Sequence, residues 1–325
     1  MFVGLDLHKR YSEFAVMDID GNLLKQGRIE NGLDEMREFS ESLPASTSMA
    51  IESSSTWYWA YKLLSERHNV VLSNPVRNKA IASAKVKTDK VDSIMLATLL
   101  RGNFLAESYV PPRETIDLRE LVRHRANLVR ERTRLKNWVH AYLLMNNIRI
   151  DAHPFTNDFV EELRRMEEPR VQSYLRLIDG LNEEIRGASN TIREKAGESE
   201  EARLLMTIPG ISFYSALLIT SEIGEIQRFE DSPSLVAYAG LAPSTHSSGG
   251  RTYHGPIMKS GSRYLRWIMG QCARANMRVE PQGTVAAFYA RIKRKKGDQK
   301  AIVAAAAKLL KIVFWVLKER RPYHS

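Results

Sequence analysis

The chain has 325 residues, room for roughly two domains of ordinary size, and its 43% hydrophobic content supports packed cores and excludes wholesale disorder. A formal net charge of +10 points to a polyanionic partner, either nucleic acid or an anionic membrane surface. No apolar run reaches the ~18 residues that span a bilayer, the N-terminus lacks a signal-peptide core, and the lone Cys272 excludes an internal disulfide and reads as a small buried apolar residue.

Phe2, Val3 and Leu5 read as a short buried strand with Asp6 set in it. A carboxylate among apolar neighbours is costly unless a cation or hydrogen-bond donors meet it. Phe14 to Met17 reads as a second strand, and Asp18-Ile19-Asp20-Gly21-Asn22 has the chemistry of a hairpin turn. The pattern of acid after apolar run recurs at Met49-Ala50-Ile51-Glu52. A helix is expected from Trp57 to Arg67 and a strand at Val70-Val71-Leu72, closed by Asn74-Pro75. Thr88 suits an N-cap, which puts Asp89 and Asp92 in the first turn of a helix running to Leu100, three apart on one face. Any one of these acids alone reads as a cap or turn residue. Together, Asp6, Glu52, Asp89 and Asp92 suit the strand ends of one sheet, where they cannot all stay ionised without counter-charge. A hard divalent ion, Mg²⁺ or Mn²⁺, supplies that charge and serves phosphoryl transfer. Strands interleaved with helices to about Leu105 argue an α/β layer fold, and Tyr109-Val110-Pro111-Pro112 breaks the chain.

A long helical pattern follows, with Leu118, Leu121, Leu128, Leu135, Val139 and Tyr142 near heptad spacing. Its other face carries Arg119, Arg123, Arg130, Arg132, Arg134 and Lys136, which reads as nucleic-acid backbone contact. Trp138 and Tyr142 are available either to stack bases or to pack the seam. A second helix, with Tyr174, Ile178, Leu181, Ile185 and Ile192 in its seam, should pair antiparallel with the first. Beyond a Gly197–Glu201 linker, Leu204 to Ile219 reads helix, Pro209-Gly210 turn, helix, resembling a helix-hairpin-helix module. The loop Ala239 to Arg251 is crowded with small residues and hydroxyls. Ser248 stands before two glycines, an accessible position for a nucleophile and equally for a plain turn. Lys259, Arg263 and Arg266 form a phosphate-ready stretch, Arg291 to Lys300 is a basic run, and Ala301 to Leu317 reads as an apolar packed helix.

Gly4-Leu5-Asp6, Ile51-Glu52-Ser53 and Lys87-Thr88-Asp89-Lys90-Val91-Asp92 resemble the Asp-Glu-Asp-Asp pattern of the DEDD transposases, bacterial insertion-sequence recombinases related to the pilin-gene invertase. Gly240-Leu241-Ala242-Pro243, the Ser248-Gly249 step and Lys259 to Arg266 resemble the C-terminal domain of the same family. Many members carry a basic residue where this chain has Ser244. The resemblance implies three parts: residues 1–108, an α/β RNase H-like (RuvC-like) domain; 109–200, a helical coiled-coil segment; and 201–325, a mainly α domain with the helix-hairpin-helix-like element and a nucleophilic serine. It implies Mg²⁺ or Mn²⁺ held by Asp6, Glu52, Asp89 and Asp92, and Ser248 as nucleophile, with Ser247 adjacent. It also implies donor and target DNA as partners, a structured guide RNA, a homodimer or homotetramer with no membrane, and a cytoplasmic, nucleoid-associated location. The rival classes are a metal-dependent junction endonuclease, which would not need Ser248; an actin-like kinase, disfavoured for want of a second Gly-rich phosphate loop; and a non-catalytic nucleic-acid binder, which leaves the acids unexplained.

Overall fold

The computed structural model describes residues 1–53, 56–81, 89–248, 251–258 and 261–324; Thr88 and Lys259 lie outside them. Two compact units result, Met1–Val110 and Pro111–Ser325.

The first unit comprises β1 (Phe2–Leu7), β2 (Tyr11–Met17), β3 (Leu23–Glu30), α1 (Leu33–Glu41), β4 (Ser48–Glu52), α2 (Trp57–Leu64), β5 (Asn69–Ser73), α3 (Pro75–Ile81) and α4 (Asp89–Arg101). Its sheet has the order β3-β2-β1-β4-β5. The first three strands form an antiparallel meander, and β4 and β5 run parallel to β1. This mixed sheet, followed by a mostly helical region, fits an RNase H-like domain with a helical partner.

Side chains alternate between the faces of a strand. Val3, Leu5 and Leu7 join Met36, Phe39, Ala60 and Leu64 in the core under α1 and α2. Gly4 and Asp6 therefore turn to the other face, where α4 lies. A Cβ on Gly4 would stand 2.0 Å from the Ser93 carbonyl oxygen and 2.6 Å from the Ala97 amide nitrogen. The missing side chain lets the α4 backbone rest directly on β1 and brings the start of that helix beside Asp6. The third strand was not visible in the sequence. It is an edge strand with Leu23 and Leu24 exposed, so it lacks the apolar alternation that marks a half-buried strand.

The second unit holds α5 (Arg113–Met145), α6 (Asn157–Arg165), α7 (Pro169–Glu198), α8 (Glu200–Met206), α9 (Phe213–Ile223), a 3-10 turn (Ile226–Arg228), α10 (Ser232–Tyr238), the strands β6 (Pro243–Ser248) and β7 (Arg251–Ile257), α11 (Arg263–Val279), α12 (Thr284–Lys296) and α13 (Asp298–Glu319). Leu135, Val139, Ile178, Ile185 and Ile192 are buried between or beside α5 and α7. Arg132 donates to Asn182 while the earlier Arg125 donates to the later Ser189, so the two helices run antiparallel. The buried stripe of α13, with Ala301, Ala305, Leu309, Leu310, Val313 and Phe314, anchors the core of this unit. Cys272 lies in that core, and burial pushes its thiol up to about 11, which leaves it unreactive.

The Pro209-Gly210 turn joins α8 to α9, with Gly210 at φ +85°. A Cβ on Gly210 would come within 2.3 Å of the Asn276 amide nitrogen, and Asn276 Nδ2 donates to the Pro209 carbonyl at 2.9 Å. The turn is therefore packed against α11 on that side. Among the described residues no helix is long and apolar enough to cross a membrane.

Candidate active site

Asp6 sits near the C-terminal end of the central strand, 7% exposed. The parallel register pairs Leu5 with Ile51, so Asp6 and Glu52 are the next residues along that ladder and share its α4 face. Helix α4 starts at Asp89, with Asp92 one turn on. Burial pushes the Asp6 carboxyl up to about 6. The charge of His8 works against that rise, and the carboxylates of Glu52, Asp92 and Asp89 add to it. The four acids thus act on one point of the sheet, although they come from three separate elements.

Three donor groups meet there most closely. Asp6, His8 and Asp89 each offer a ligand atom, all within 4.8 Å of one another. His8 Nε2 is 3.2 Å from Asp6 Oδ2 and 3.1 Å from Asp89 Oδ2. It is buried and makes a hydrogen bond to neither. A nitrogen lone pair or N–H left unsatisfied between two carboxylates is what a cation, or a proton carried on His8, would relieve. Two carboxylate oxygens and one imidazole suit Mg²⁺ or Mn²⁺, with the nitrogen favouring the softer Mn²⁺.

A set of contacts behind this cluster fixes Asp89. Tyr11 Oη donates to Asp89 Oδ2 at 3.1 Å, and that bond raises the Tyr11 phenol above its ordinary value. The Arg28 guanidinium lies over the Tyr11 ring at 4.0 Å, and its Nε donates to Glu13 Oε1 at 2.8 Å. Glu13 is 2% exposed and stands opposite Asp6 in the antiparallel ladder. His8 and Tyr11 carried no role in the sequence reading. The available signal was parity: His8 is two residues after Asp6 and so lies on the same side of the chain.

The second unit supplies the other expected residues. Ser247 and Ser248 close β6, with Ser248 opposite Arg251 and Ser247 opposite Thr252 in the two-stranded ribbon. Helix α11 begins at Arg263, capped by Ser262, whose hydroxyl accepts from the Leu265 amide and donates to Glu222 Oε2 at 2.8 Å. Glu222 is 1% exposed and receives both arms of Arg123, at 2.7 and 2.9 Å. Arg119 donates to the backbone carbonyls of Ser221 and Glu222. Of the expected basic face of α5, Arg119 and Arg123 tie helices together, donating to a buried acid on α9 and to the end of that helix. Arg266 likewise donates to the Ala239 carbonyl. Trp138 packs its ring on Tyr174 at 5.5 Å, and the Arg170 guanidinium lies 4.9 Å from the Tyr142 ring. Arg130, Arg134 and Arg263 instead line a shared groove with Tyr264 and Trp267.

A family model described as a transposase, of the IS110 DEDD type, matches residues 3–146, and one described as transposase, IS116/IS110/IS902 family, matches residues 202–290. The chain carries IS110/IS116-family transposase domains. The first match spans Asp6, Glu52, Asp89 and Asp92, and the second spans Ser248, Arg263 and Arg266. Relatives of this transposase chain match 85% to 97% of its length. The transposase for insertion sequence element IS1328 of Yersinia enterocolitica is 27% identical over 97% of this chain and 96% of its own. The pilin gene-inverting protein of Moraxella bovis is 29% identical over 85% and 81%. A probable family 20 transposase of Pseudomonas aeruginosa is 26% identical over 85% and 84%. Such proteins are DNA-rearranging enzymes.

Proposed function

We propose that this chain is the transposase or site-specific recombinase of an insertion element and that it cuts and exchanges DNA strands through a covalent phosphoserine link. The observation that carries this reading is the meeting of Asp6, His8 and Asp89 at the end of the central strand, within a chain that carries IS110/IS116-family transposase domains. In this reading residues 1–108 form a RuvC-like domain, 109–200 a coiled-coil segment and 201–325 the serine domain. Asp6, His8 and Asp89, with Glu52 and Asp92, would hold a divalent ion. When bound, that ion supplies charge stabilisation at the phosphoryl oxygens and a more acidic attacking hydroxyl.

Ser248 Oγ attacks the phosphorus, and one strand end leaves as a free hydroxyl. The ester to serine retains the energy of the phosphodiester bond until another strand end displaces it. The acids and Ser248 of one site come from different subunits of a homodimer or homotetramer, and a structured RNA selects the DNA by base pairing. The compartment is the cytoplasm, at the nucleoid.

The test is the protein–DNA adduct. Wild type should give a protease-sensitive, slow-migrating DNA species on a denaturing gel. Ser248→Ala should lose both it and recombinant product while DNA binding persists, because a single hydroxyl adds little affinity. Ser247→Ala is the matched control and should keep it. Cutting with Mg²⁺ that never yields an adduct, even on nicked substrates that block exchange, would make the protein a metal-dependent junction nuclease instead.

A further inference from the structure

Between α5 and α11 runs a groove of about 530 Å³, within the range of roughly 300–1,000 Å³ typical of ligand sites. Helix α5 contributes Arg130, Thr133, Arg134 and Asn137 from one face, and α11 contributes Arg263, Tyr264 and Trp267. No carboxylate is among its described lining residues; the nearby Glu131 pairs with Arg134 at 2.6 Å. Tyr264 forms the floor, 8% exposed, with its hydroxyl donating to Asn127 at 3.2 Å. Burial pushes the Tyr264 phenol up, but the hydrogen bonds and charges of Arg130 and Arg263 outweigh it and bring the phenol below its ordinary value. The Arg263 guanidinium lies over this floor, 5.1 Å from the ring centre. Trp267 stands one turn beyond Arg263 and leaves 43% of its surface open to solvent.

An open indole beside clustered arginines has one chemistry in common with nucleic acid: the ring takes a base face while the cations take the phosphates. A duplex presents base edges in its grooves and keeps its base faces stacked. An unpaired base can lie on Trp267, whereas a base inside a duplex cannot. We infer that this groove binds an unpaired stretch of DNA, with Trp267 as the stacking platform and Arg130, Arg134 and Arg263 along the backbone. The inference rests on the transposase reading, because strand exchange is what exposes unpaired DNA near the protein. It gives the residual basic face of α5 a use that helix packing does not.

The experiment is fluorescence anisotropy of labelled 12-nucleotide strands with the full chain in chelator, so that no cleavage is required. The probes are a single DNA strand, its duplex, and an RNA strand of the same sequence. Base stacking contributes roughly 1–3 kcal/mol per base, so Trp267→Ala should weaken single-strand DNA binding at least about fivefold and leave the duplex within twofold. Trp267→Phe keeps a ring and should retain most of the affinity, which also controls for folding. Arg130→Gln with Arg263→Gln should weaken the single strand and reduce the salt dependence of its binding. Equal losses for strand and duplex, or no loss in either Trp267→Ala or the arginine pair, would overturn the inference. Tighter binding of the RNA strand that depends on Trp267 would overturn the assignment to DNA. A transposase without this groove would form the Ser248 adduct and fail here; a groove in a protein that is no transposase would do the reverse.

Discussion

Removing the cation from the ion pair between α5 and the buried Glu222 of α9 gives the most quantitative check of how the second unit is held. Arg123→Met keeps the aliphatic stem but deletes both bonds to Glu222, at 2.7 and 2.9 Å. Among the described residues, Glu222, 1% exposed, then retains only the Ser262 hydroxyl. Breaking one side of a buried ion pair costs about 3–5 kcal/mol. The Arg123 side chain is 38% exposed, so water reaches the gap and the lower end, about 3 kcal/mol, applies. For a unit of this size each kcal/mol moves the midpoint by roughly 2–4 °C, so the transition of the second unit should fall by about 6–12 °C. Scanning calorimetry reads it, and the transition of the first unit should not move. Adding Glu222→Gln should recover at least half the loss, because an amide needs no counter-charge. A shift under about 2 °C, or no recovery in the double variant, would refute the claim that Glu222 organises α5, α9 and the start of α11.

Gly4→Ala should push α4 off β1, since its Cβ would stand 2.0 Å from the Ser93 oxygen against an ordinary contact of about 3.5 Å. We expect a loss of about 1–3 kcal/mol and a clear fall in divalent-ion affinity; unchanged affinity would detach α4 from the site. The Asp6 carboxyl, raised from 3.8 to about 6, predicts a pH dependence. The folded state holds a proton that the unfolded chain releases between these values. Stability of the first unit in chelator should therefore fall as pH climbs from about 4 to about 6 and stay low above that, by about 3 kcal/mol. Asp6→Asn should abolish that fall, stabilising the unit at pH 8 and not at pH 4 in urea unfolding; destabilisation at pH 8 would contradict the assigned burial.

Much of the first unit was legible because its strands announce themselves as apolar runs ending in an acid: β1, β4 and the start of α4 all follow from Phe2 to Asp6, Met49 to Glu52 and Asp89 to Asp92. Edge strand β3 was not, since Leu23, Leu24 and Lys25 are exposed in succession and Arg28 turns to Glu13, which gives no apolar period. The sequence could not separate Arg119 and Arg123 from Arg130 and Arg134. All four lie on the same helix, and the difference is a buried acid about a hundred residues away on α9. His8 was in view but unassigned, because an imidazole after a strand end has no local signature of ligation. Its partner Asp89 is brought to it only by the close approach that Gly4 permits.

Asp6, His8 and Asp89 together offer a divalent-ion site. Electron paramagnetic resonance of free Mn²⁺, titrated with the full chain at pH 8, measures it directly. Wild type should remove the free-ion signal saturably, and Asp6→Asn with Asp89→Asn should weaken that uptake at least about tenfold while the protein stays folded. Equal Mn²⁺ uptake by the folded double variant would contradict the site.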